Sequence, residues 1–367
     1  MSLPTPPNID PAKLADFHNV LKQSKRIVAV LGAGISASSG LATFRGTNGL
    51  WRGQDVMQVA TPAGFRHDPG LVWQFYSYRR REALKAQPNA AHYALAELAR
   101  RVAPGFVTLT QNVDNLSPRA GHPEAQLKQL HGNLFDLRCV DTVGCGYTER
   151  GNYENPLTPA LDTIKDETLT LGHIDPDNRP KANPILLAGL ARKNAQILGD
   201  KYDDKGPSAV DLAPLKAAAA VGGEQELGAR PPPMSDIRLS SGLSKDDLPQ
   251  CPKCQANILR PSVVWFGEAL AESTALEADA LFAEDTEPIE LCLVIGTSSK
   301  VWPAAGYAEK ARKKGARIAT INMDAGDAKG LRPDQDWVFV GDAAAILPEL
   351  LKPVIGDPGA WKKSTDS

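Results

Sequence analysis

The sequence predicts an α/β protein built on a doubly wound parallel sheet, with a second, smaller domain inserted into it. Short apolar runs alternate with helical patterns along most of the chain, and a long middle segment lacks any strand pattern. The apolar runs are continuous rather than alternating, as is typical of strands that helices cover on both faces. Glycine or polar residues follow each run, and ligands of doubly wound sheets bind at those carboxyl ends.

Six runs of β type are predicted to form the sheet. In chain order they are 26–32 (RIVAVLG), 106–112 (FVTLTQN), 126–132 (QLKQLHG), 290–297 (ELCLVIGT), 317–323 (RIATINM) and 336–342 (DWVFVGD). Helical periodicity separates many of them, at 11–23, 71–86, 89–101, 303–314 and 343–351. Because parallel strands need crossover connections, this alternation favours a parallel sheet.

The middle of the chain differs in composition. From about residue 155 to 248 it holds the tracts AAAAVGG and ARPPPM, which are typical of linkers, and one piece with helical periodicity, NPILLAGLARKNAQILGDKY. Close cysteine pairs flank this segment. We therefore predict one discontinuous domain of residues 1–137 and 257–352, an inserted domain of residues 138–256, and a disordered tail of residues 353–367.

Length and composition exclude several classes of protein. The 367 residues are 42% hydrophobic and 23% charged with a net charge of −2, which is ordinary for a soluble globular protein. No overall basic bias suggests nucleic acid as a partner. The apolar runs are too short to span a bilayer, and the N-terminal residues lack the features of a signal or transit peptide. We expect a soluble, monomeric intracellular protein, in a compartment that the sequence does not specify.

Gly32 and Gly34 follow the first apolar run, in the segment VLGAGISASSGLATFRG. Without a Cβ, glycine lets the backbone turn sharply and approach a phosphate, and the N-terminus of a following helix favours an anion. The Ser36 hydroxyl can donate a hydrogen bond there. The spacing also fits a plain strand-to-helix turn, but Phe44 and Arg45 just downstream favour a binding site, since arginine pairs with phosphate and phenylalanine can cover a cofactor.

Two more polar groups follow predicted strands. Asn112 and Asp114, in TQNVDN, match the donor and acceptor of a primary carboxamide such as nicotinamide, although an Asx turn is the commoner explanation for this motif taken alone. His131 ends the third run, just before a glycine. A histidine there can act as a general base, but a single histidine is often structural, so the sequence leaves both interpretations open.

Four of the five cysteines form two close pairs, Cys139 with Cys145 and Cys251 with Cys254. Four thiolates make a closed tetrahedral site for Zn²⁺, and the C-x2-C spacing of the second pair lets backbone amides support both sulfur atoms. Disulfides are a poorer interpretation for an intracellular protein. We predict one structural zinc ion, with Cys292 as a core thiol in its apolar run.

Together these motifs resemble the sirtuin family of NAD-dependent protein deacylases. The matching segments, in the family order, are GAGISASSGLATFRG, TQNVDNL, HG, the paired cysteines, VVWFGE (263–268), GTSS (296–299) and INM (321–323). They cover roughly residues 20–350. The x5 spacing of the first cysteine pair and the length of the insert depart from the family pattern. The resemblance implies a Rossmann-like NAD-binding domain with an inserted zinc-binding domain.

The resemblance also implies a mechanism. The acyl oxygen attacks the nicotinamide ribose as nicotinamide leaves, and His131 then removes a ribose hydroxyl proton, so that this hydroxyl attacks the resulting imidate. Water completes the reaction, which yields free lysine, nicotinamide and O-acyl-ADP-ribose. The implied NAD-binding residues are Gly32, Ala33, Gly34, Ser36, Phe44, Arg45, Trp51, Gln111, Asn112, Asp114, Gly296, Thr297, Ser298, Asn322, Met323, Asp324 and Ala343.

One helix resembles that of the class III sirtuins, which remove acidic acyl groups. Tyr76 and Arg79 are three residues apart and share a helix face, where they can bind the distal carboxylate of a succinyl-, malonyl- or glutaryl-lysine. By periodicity alone, an amphipathic helix whose RRR sequence faces water fits as well. The acylated protein is expected to pair as a strand with VVWFGE. The implied substrate-binding residues are Ala60, Tyr76, Arg79, Val264, Trp265, Phe266, Gly267 and Glu268.

Other functions stay open at this point. A general protein-lysine deacetylase or a mono-ADP-ribosyltransferase would use the same NAD site. A dehydrogenase would reduce NAD reversibly, whereas a sirtuin consumes it. A non-enzymatic zinc module that binds chromatin would need a basic stripe, which the sequence lacks.

Overall fold

The computed structural model describes residues 9–43, 50–51, 54–55, 59–162, 241–299, 301–328 and 330–358. Phe44, Arg45 and the helical piece predicted within the middle segment lie outside the described residues.

The predicted parallel sheet is confirmed, and each of the six predicted runs contributes one strand to it. The sheet has the order β11-β10-β9-β1-β4-β5, so the first strand lies at its centre between β4 and β9. The strands of the described residues are β1 (Ile27–Leu31), β2 (Leu50–Trp51), β3 (Gln54–Asp55), β4 (Phe106–Thr110), β5 (Leu127–Gln129), β6 (Gly132–Cys139), β7 (Thr148–Glu149), β8 (Leu259–Val263), β9 (Leu291–Ile295), β10 (Arg317–Asn322) and β11 (Trp337–Val340).

Helices form at most of the positions where the sequence predicts them. They are α1 (Pro11–Gln23), α2 (Pro62–His67), α3 (Pro69–Lys85), α4 (Ala90–Arg101), α5 (Leu116–Arg119), α6 (Glu272–Ala280), α7 (Tyr307–Lys313) and α8 (Ala343–Ile355). A short 3-10 turn, Ala304–Gly306, precedes α7 where the sequence predicted α-helix. The predicted tail from residue 353 is wrong at its start, because α8 continues through Pro353 to Ile355, whose side chain is buried in the core.

Helices cover both faces of the parallel sheet, as a doubly wound fold requires. On one face, α1, α4 and α8 pack against β1 and its neighbours, with Phe17, Leu98 and Leu350 completely buried. On the other face, α6 and α7 contribute Ala278 and Tyr307 to a second core. Every residue of β1 and β9 is buried, which explains their continuous apolar sequence.

Polar caps determine where the helices beside the strand ends begin. Asp68 accepts a hydrogen bond from the backbone N–H of Leu71 and starts α3, with proline at the first helical position. Asn89 forms a capping box with His92 at the start of α4, and Asp342 caps α8 through the N–H of Ala344. These caps fix where the three helices begin, and α3 among them carries the cavity-lining residues Phe75, Tyr76 and Arg79.

A second, antiparallel sheet has the order β7-β6-β8. In its register Gly132 pairs with Val263, and Cys139 pairs with Leu259. Strand β6 begins directly after His131 and crosses the predicted domain boundary at residue 137, and a third core joins this sheet to α2 and α3. The division of the chain into domains stays a prediction.

Arg80 attaches α3 to the small sheet. Its side chain is completely buried, and its guanidinium donates hydrogen bonds to the carbonyls of Leu134 (2.6 Å), Asn152 (2.8 Å) and Glu154 (2.7 Å). The guanidinium also lies 5.2 Å from the centre of the Phe135 ring. Burial lowers the pKa of Arg80 to about 10, so the group stays charged at neutral pH. The alternative in which the RRR sequence faces water is therefore wrong for Arg80.

We expect Arg80→Leu to destabilise the protein strongly, because it leaves three carbonyl groups without their donor. Each unsatisfied buried group costs about 1–3 kcal/mol, so the free energy of unfolding should fall by about 3 kcal/mol or more. Arg81→Leu is the matched control, because Arg81 is partly exposed and lies 3.5 Å from Glu82, a type of pair worth about 0–1 kcal/mol. Urea denaturation measures both changes, and equal losses would contradict this role of Arg80.

Candidate functional site

A cavity of about 510 Å³ opens where strands of the parallel sheet end beside the small sheet. Most of the predicted NAD- and substrate-binding residues line it together. The predicted residues in its wall are Gly32, Ala33, Gly34, Ala60, Tyr76, Arg79, Gln111, Asn112, His131, Val264, Trp265, Phe266, Gly267, Glu268, Gly296, Thr297, Ser298, Asn322 and Met323.

Several predicted residues do not line this cavity. Ser36 and Asp114 are buried behind its wall, and Asp324 and Ala343 lie further along the same edge of the sheet. Trp51 lies in β2. The sequence analysis missed lining residues such as Thr43, Phe75, Val113, Leu134, Leu270, Val301 and Trp302. Most of them are apolar, and a sequence pattern cannot separate an apolar cavity wall from the core.

The glycines of the first loop allow two backbone segments to touch. A Cβ on Gly32 would lie 2.6 Å from the Cβ of Thr297, and a Cβ on Gly34 would lie 2.6 Å from the Cα of Gly296. Gly296 itself has φ 61°, in the left-handed region that favours glycine. The Gly34 N–H donates to the Gly296 carbonyl at 2.8 Å. The helix expected after the loop is a short 3-10 helix, Ala33–Ser39.

Ser36, Asn112 and Asp114 form one hydrogen-bonded group. The Ser36 hydroxyl donates to Oδ2 of Asp114 at 2.7 Å, and Nδ2 of Asn112 donates to the same hydroxyl oxygen at 3.2 Å. The other carboxylate oxygen of Asp114 accepts from the backbone N–H of Leu116 at 2.9 Å, which is the Asx-type bond that the sequence left open. Both carboxylate oxygens are thus held, and Asp114 has a fixed orientation.

His131 presents one ring nitrogen for proton transfer. Its Nδ1 lies 3.0 Å from the carbonyl of Gln111, and since a carbonyl can only accept, the ring proton is on Nδ1 and Nε2 is the basic atom. Burial lowers the pKa of His131, with the Gln111 carbonyl as an opposing, smaller influence. The imidazole is therefore neutral at pH 7 and can accept a proton.

Tyr76, Arg79 and Ala60 all line the cavity. Burial raises the pKa of the Tyr76 phenol, so it stays protonated and can donate a hydrogen bond. Burial lowers the pKa of Arg79, while Tyr76 and Asp114 counteract that decrease. The cavity wall thus includes a neutral hydroxyl, a guanidinium and a small side chain.

The segment VVWFGE is fixed by hydrogen bonds to His131, between the two sheets, and to Ala60, just before α2. The Val264 N–H donates to the His131 carbonyl at 2.9 Å, and the Phe266 N–H donates to the Ala60 carbonyl at 3.0 Å. The carboxylate of Glu268 receives two bonds from Arg260, at 2.6 and 2.8 Å. It also accepts from the backbone N–H of Trp265, so the Glu268 side chain holds the segment in place.

The four predicted metal ligands form one cluster beside the small sheet. The sulfur atoms of Cys139, Cys145, Cys251 and Cys254 lie within 4.8 Å of one another. Distances of 3.9 Å between Cys139 and Cys254 and 3.6 Å between Cys145 and Cys251 exclude disulfides. Tetrahedral zinc with bonds of about 2.3 Å places its sulfurs about 3.8 Å apart. The cluster fits one structural zinc ion, and Cys145 is one of its four members.

The knuckle formed by the second pair favours a thiolate. The backbone N–H groups of Ala256 and Asn257 are directed at Cys254 and lower its pKa to about 6, with burial as an opposing influence. Cys292 is separate from this cluster, and burial in β9 raises the pKa of its thiol to about 12. Burial also raises the pKa of Cys139, a member of the cluster, to about 12, so Cys292 differs from the four cluster cysteines by its position and not by its pKa.

The Sir2 family model matches residues 32–163 and 233–303, more than half of the chain. The chain belongs to the Sir2 family. An "NAD-dependent protein deacylase" of Candida albicans is 40% identical to it, over 94% of this chain and 99% of that protein. The "NAD-dependent protein deacylase sirtuin-5, mitochondrial" of Canis lupus familiaris is 32% identical, over 93% of this chain and 86% of that protein.

A solved structure supports the assignment to the Sir2 family. The crystal structure of a Sir2 homolog–NAD complex has a TM-score of 0.59 and 27% identity, and the match covers 98% of this chain and 97% of that one. Among the helices that the structure describes, none is long and apolar enough to cross a membrane.

We expect Cys251→Ser to release zinc and to unfold the small sheet, because metal binding to such clusters is coupled to folding. Elemental analysis of freshly purified protein should find one zinc ion per wild-type chain and much less in the variant. Cys292→Ala, which removes a thiol outside the cluster, should keep the metal. Wild-type protein without zinc would refute the site, and zinc retained in Cys145→Ala would assign the fourth ligand to another residue.

Proposed function

We propose that this Sir2-family protein is an NAD-dependent protein-lysine deacylase that prefers acidic acyl groups and releases nicotinamide and O-acyl-ADP-ribose. The observation that carries the proposal is the convergence of His131, Asn112 and the Tyr76–Arg79 pair on one cavity. The names of its relatives, NAD-dependent protein deacylases and a sirtuin-5, support the same activity. The proposed preference for acidic acyl groups rests on the presence of Tyr76 and Arg79 in the cavity wall.

The strand ends supply the groups expected to bind NAD, which is consumed as a substrate. The loops at Gly32–Ser36 and Gly296–Ser298 bring glycines and small side chains to the cavity wall, which would leave room for a pyrophosphate and a ribose. Asn322 donates to the Thr297 carbonyl at 2.9 Å and so holds the second loop in place. Asn112, which lines the cavity, would hold the carboxamide of nicotinamide, and Asp114 behind the wall would support it through the Ser36 hydroxyl.

His131 would act as the general base. Its neutral imidazole has Nε2 as the basic atom, while Nδ1–H is anchored to the carbonyl of Gln111. A ribose hydroxyl bound near Gln111 and Asn112 would deliver its proton to Nε2. The anchor lets the imidazole become charged without turning, because Nδ1 keeps its acceptor in both protonation states.

The acyl group would extend toward Tyr76 and Arg79. Ala60 leaves room for a chain longer than acetyl, and the main chain of VVWFGE lies beside the cavity for pairing with the peptide. The Arg79 guanidinium in the cavity wall offers a bidentate partner to the distal carboxylate of the acyl group, and the Tyr76 phenol adds a hydrogen-bond donor. A monomeric state and the absence of nucleic-acid binding stay predictions.

We expect His131→Ala to lower kcat/KM for deacylation by about 10²–10⁴-fold, the usual loss when a general base is removed. The pKa of His131 lies below its usual value of 6.5, so the wild-type kcat/KM should rise with pH only below that value and be level at neutral pH. His67→Ala, an exposed histidine at the end of α2, is the control and should keep wild-type activity. Wild-type turnover in a folded His131→Ala protein would refute the assignment.

We expect Arg79→Met to lower kcat/KM for succinyl-lysine peptide about 30-fold or more, because breaking a buried charge pair costs about 2–5 kcal/mol. The acetyl form of the same peptide offers no carboxylate and should lose far less. Tyr76→Phe should produce a smaller decrease for succinyl, since it keeps the ring. The measurement is paired kinetics at saturating NAD. Equal losses for both acyl groups would make Tyr76 and Arg79 part of the scaffold, and the protein a general deacetylase.

A further inference from the structure

His92 is a buried histidine that contacts Ser36 behind the cavity wall. Its side chain is 2% exposed, and its Nε2 lies 3.4 Å from the Ser36 hydroxyl oxygen. Burial lowers the pKa of His92 to about 4, with Asp114 as an opposing influence, so the ring is neutral at pH 7 and carries a single ring proton. The nitrogen that holds this proton determines what His92 can do for Ser36.

The capping box at the start of α4 determines the tautomer of His92. The backbone N–H of Asn89 donates to Nδ1 of His92 at 3.2 Å, so Nδ1 is an acceptor and carries no proton. The ring proton is therefore on Nε2, the nitrogen that faces Ser36. His92 thus donates to the Ser36 oxygen and cannot accept from it.

The Ser36 hydroxyl thereby makes every hydrogen bond that a hydroxyl can make, one as donor and two as acceptor. Its proton goes to Oδ2 of Asp114 at 2.7 Å, because a carboxylate only accepts. Its two acceptor positions receive Nε2–H of His92 and the side-chain amide of Asn112, at 3.2 Å. Since Ser36 has no second proton to donate, the Asn112 atom beside it is the donor Nδ2 and not Oδ1.

This arrangement affects the cavity through Asn112, which lines it. With Nδ2 bound to Ser36 behind the wall, Oδ1 is the acceptor that the amide keeps for a ligand, and an acceptor suits the NH2 group of a carboxamide but repels a carboxylate. Resting on the proposed function, we infer that His92 is a positioning residue, whose Nε2–H holds the Ser36 hydroxyl so that Asn112 presents Oδ1 to the carboxamide of nicotinamide. Without that donor, Ser36 keeps two of its three hydrogen bonds and can shift, and Asn112 loses its fixed orientation.

Replacing His92 by 4-thiazolylalanine tests this inference, because that isostere keeps a nitrogen at the Nδ1 position and has sulfur in place of Nε2–H. The ligands are NAD and nicotinic acid adenine dinucleotide, in which a carboxylate replaces the carboxamide. Calorimetry gives both dissociation constants without any acyl substrate. The wild-type protein should prefer NAD, and loss of one neutral hydrogen bond should reduce that preference about 2- to 10-fold. His92→Asn, which can accept from the Asn89 N–H but is too short to reach Ser36, makes the same comparison if the isostere does not fold.

Two further variants and one further ligand separate positioning from general destabilisation. His92→Gln should keep the preference for NAD, because its amide can accept from the Asn89 N–H and donate to Ser36. His122 is the matched control: it is 6% exposed, its Nε2 lies 2.9 Å from the Thr108 hydroxyl, and it does not line the cavity. Replacing His122 by 4-thiazolylalanine should leave the preference unchanged. ADP-ribose, which lacks nicotinamide, should bind equally well to the wild-type protein and to the His92 variants.

The possible outcomes are distinct. A reduced preference for NAD in the His92 variants that lack the donor, with the preference kept in His92→Gln and ADP-ribose binding unchanged, would support the inference. An unchanged preference, an equal reduction in His92→Gln, or equal weakening of all three ligands would overturn the role of His92 and leave the proposed function intact. So would a wild-type protein that binds NAD and its carboxylate analogue equally well. A wild-type protein that does not bind NAD would overturn the proposed function and this inference together.

Discussion

The site depends on backbone contact between the loops that follow β1 and β9. Gly32, Gly34 and Gly296 pack so closely that a Cβ on any of them would overlap a neighbouring atom. The N–H of Gly34 bonds the Gly296 carbonyl, and the Gln111 side chain donates to the Leu31 carbonyl and the Thr297 hydroxyl. Three neighbouring strand ends are thereby fixed to one another, and the residues that follow them share one rigid surface.

The other half of the site belongs to α3 and the small sheet. The Trp73 indole and the Arg80 guanidinium join that helix to carbonyls of β8 and β6, so the face that carries Tyr76 and Arg79 cannot shift independently of the sheet. The two halves meet at His131, which ends one sheet and immediately precedes the first strand of the other. A base at this junction has fixed neighbours on both sides.

The sequence predicted the parallel sheet well because burial on both faces leaves continuous apolar runs, and it predicted the metal site because the cysteines within each pair are close in the chain. It predicted less about features that depend on contacts between residues far apart in the chain. The glycine loop suggested contact with a phosphate, whereas its glycines also accommodate Gly296, far away in the chain. The position of the Trp265 indole depends on packing against Phe65, Tyr76 and Arg260, which no spacing rule connects. The helical periodicity of α3 does not reveal that backbone carbonyls from other segments surround the Arg80 side chain.

Three successive arginines on α3 occupy three different environments. Arg79 lines the cavity, Arg80 is enclosed by carbonyls, and Arg81 lies at the partly exposed surface beside Glu82. When homologues are aligned in this region, a slip of one position would still match arginine with arginine. The sequence identity would hardly change. The acyl-recognition role proposed for Arg79 would, however, be assigned to Arg80, which attaches α3 to the small sheet. The tyrosine three positions before Arg79 is the safer reference point for transferring a specificity from one member of the family to another.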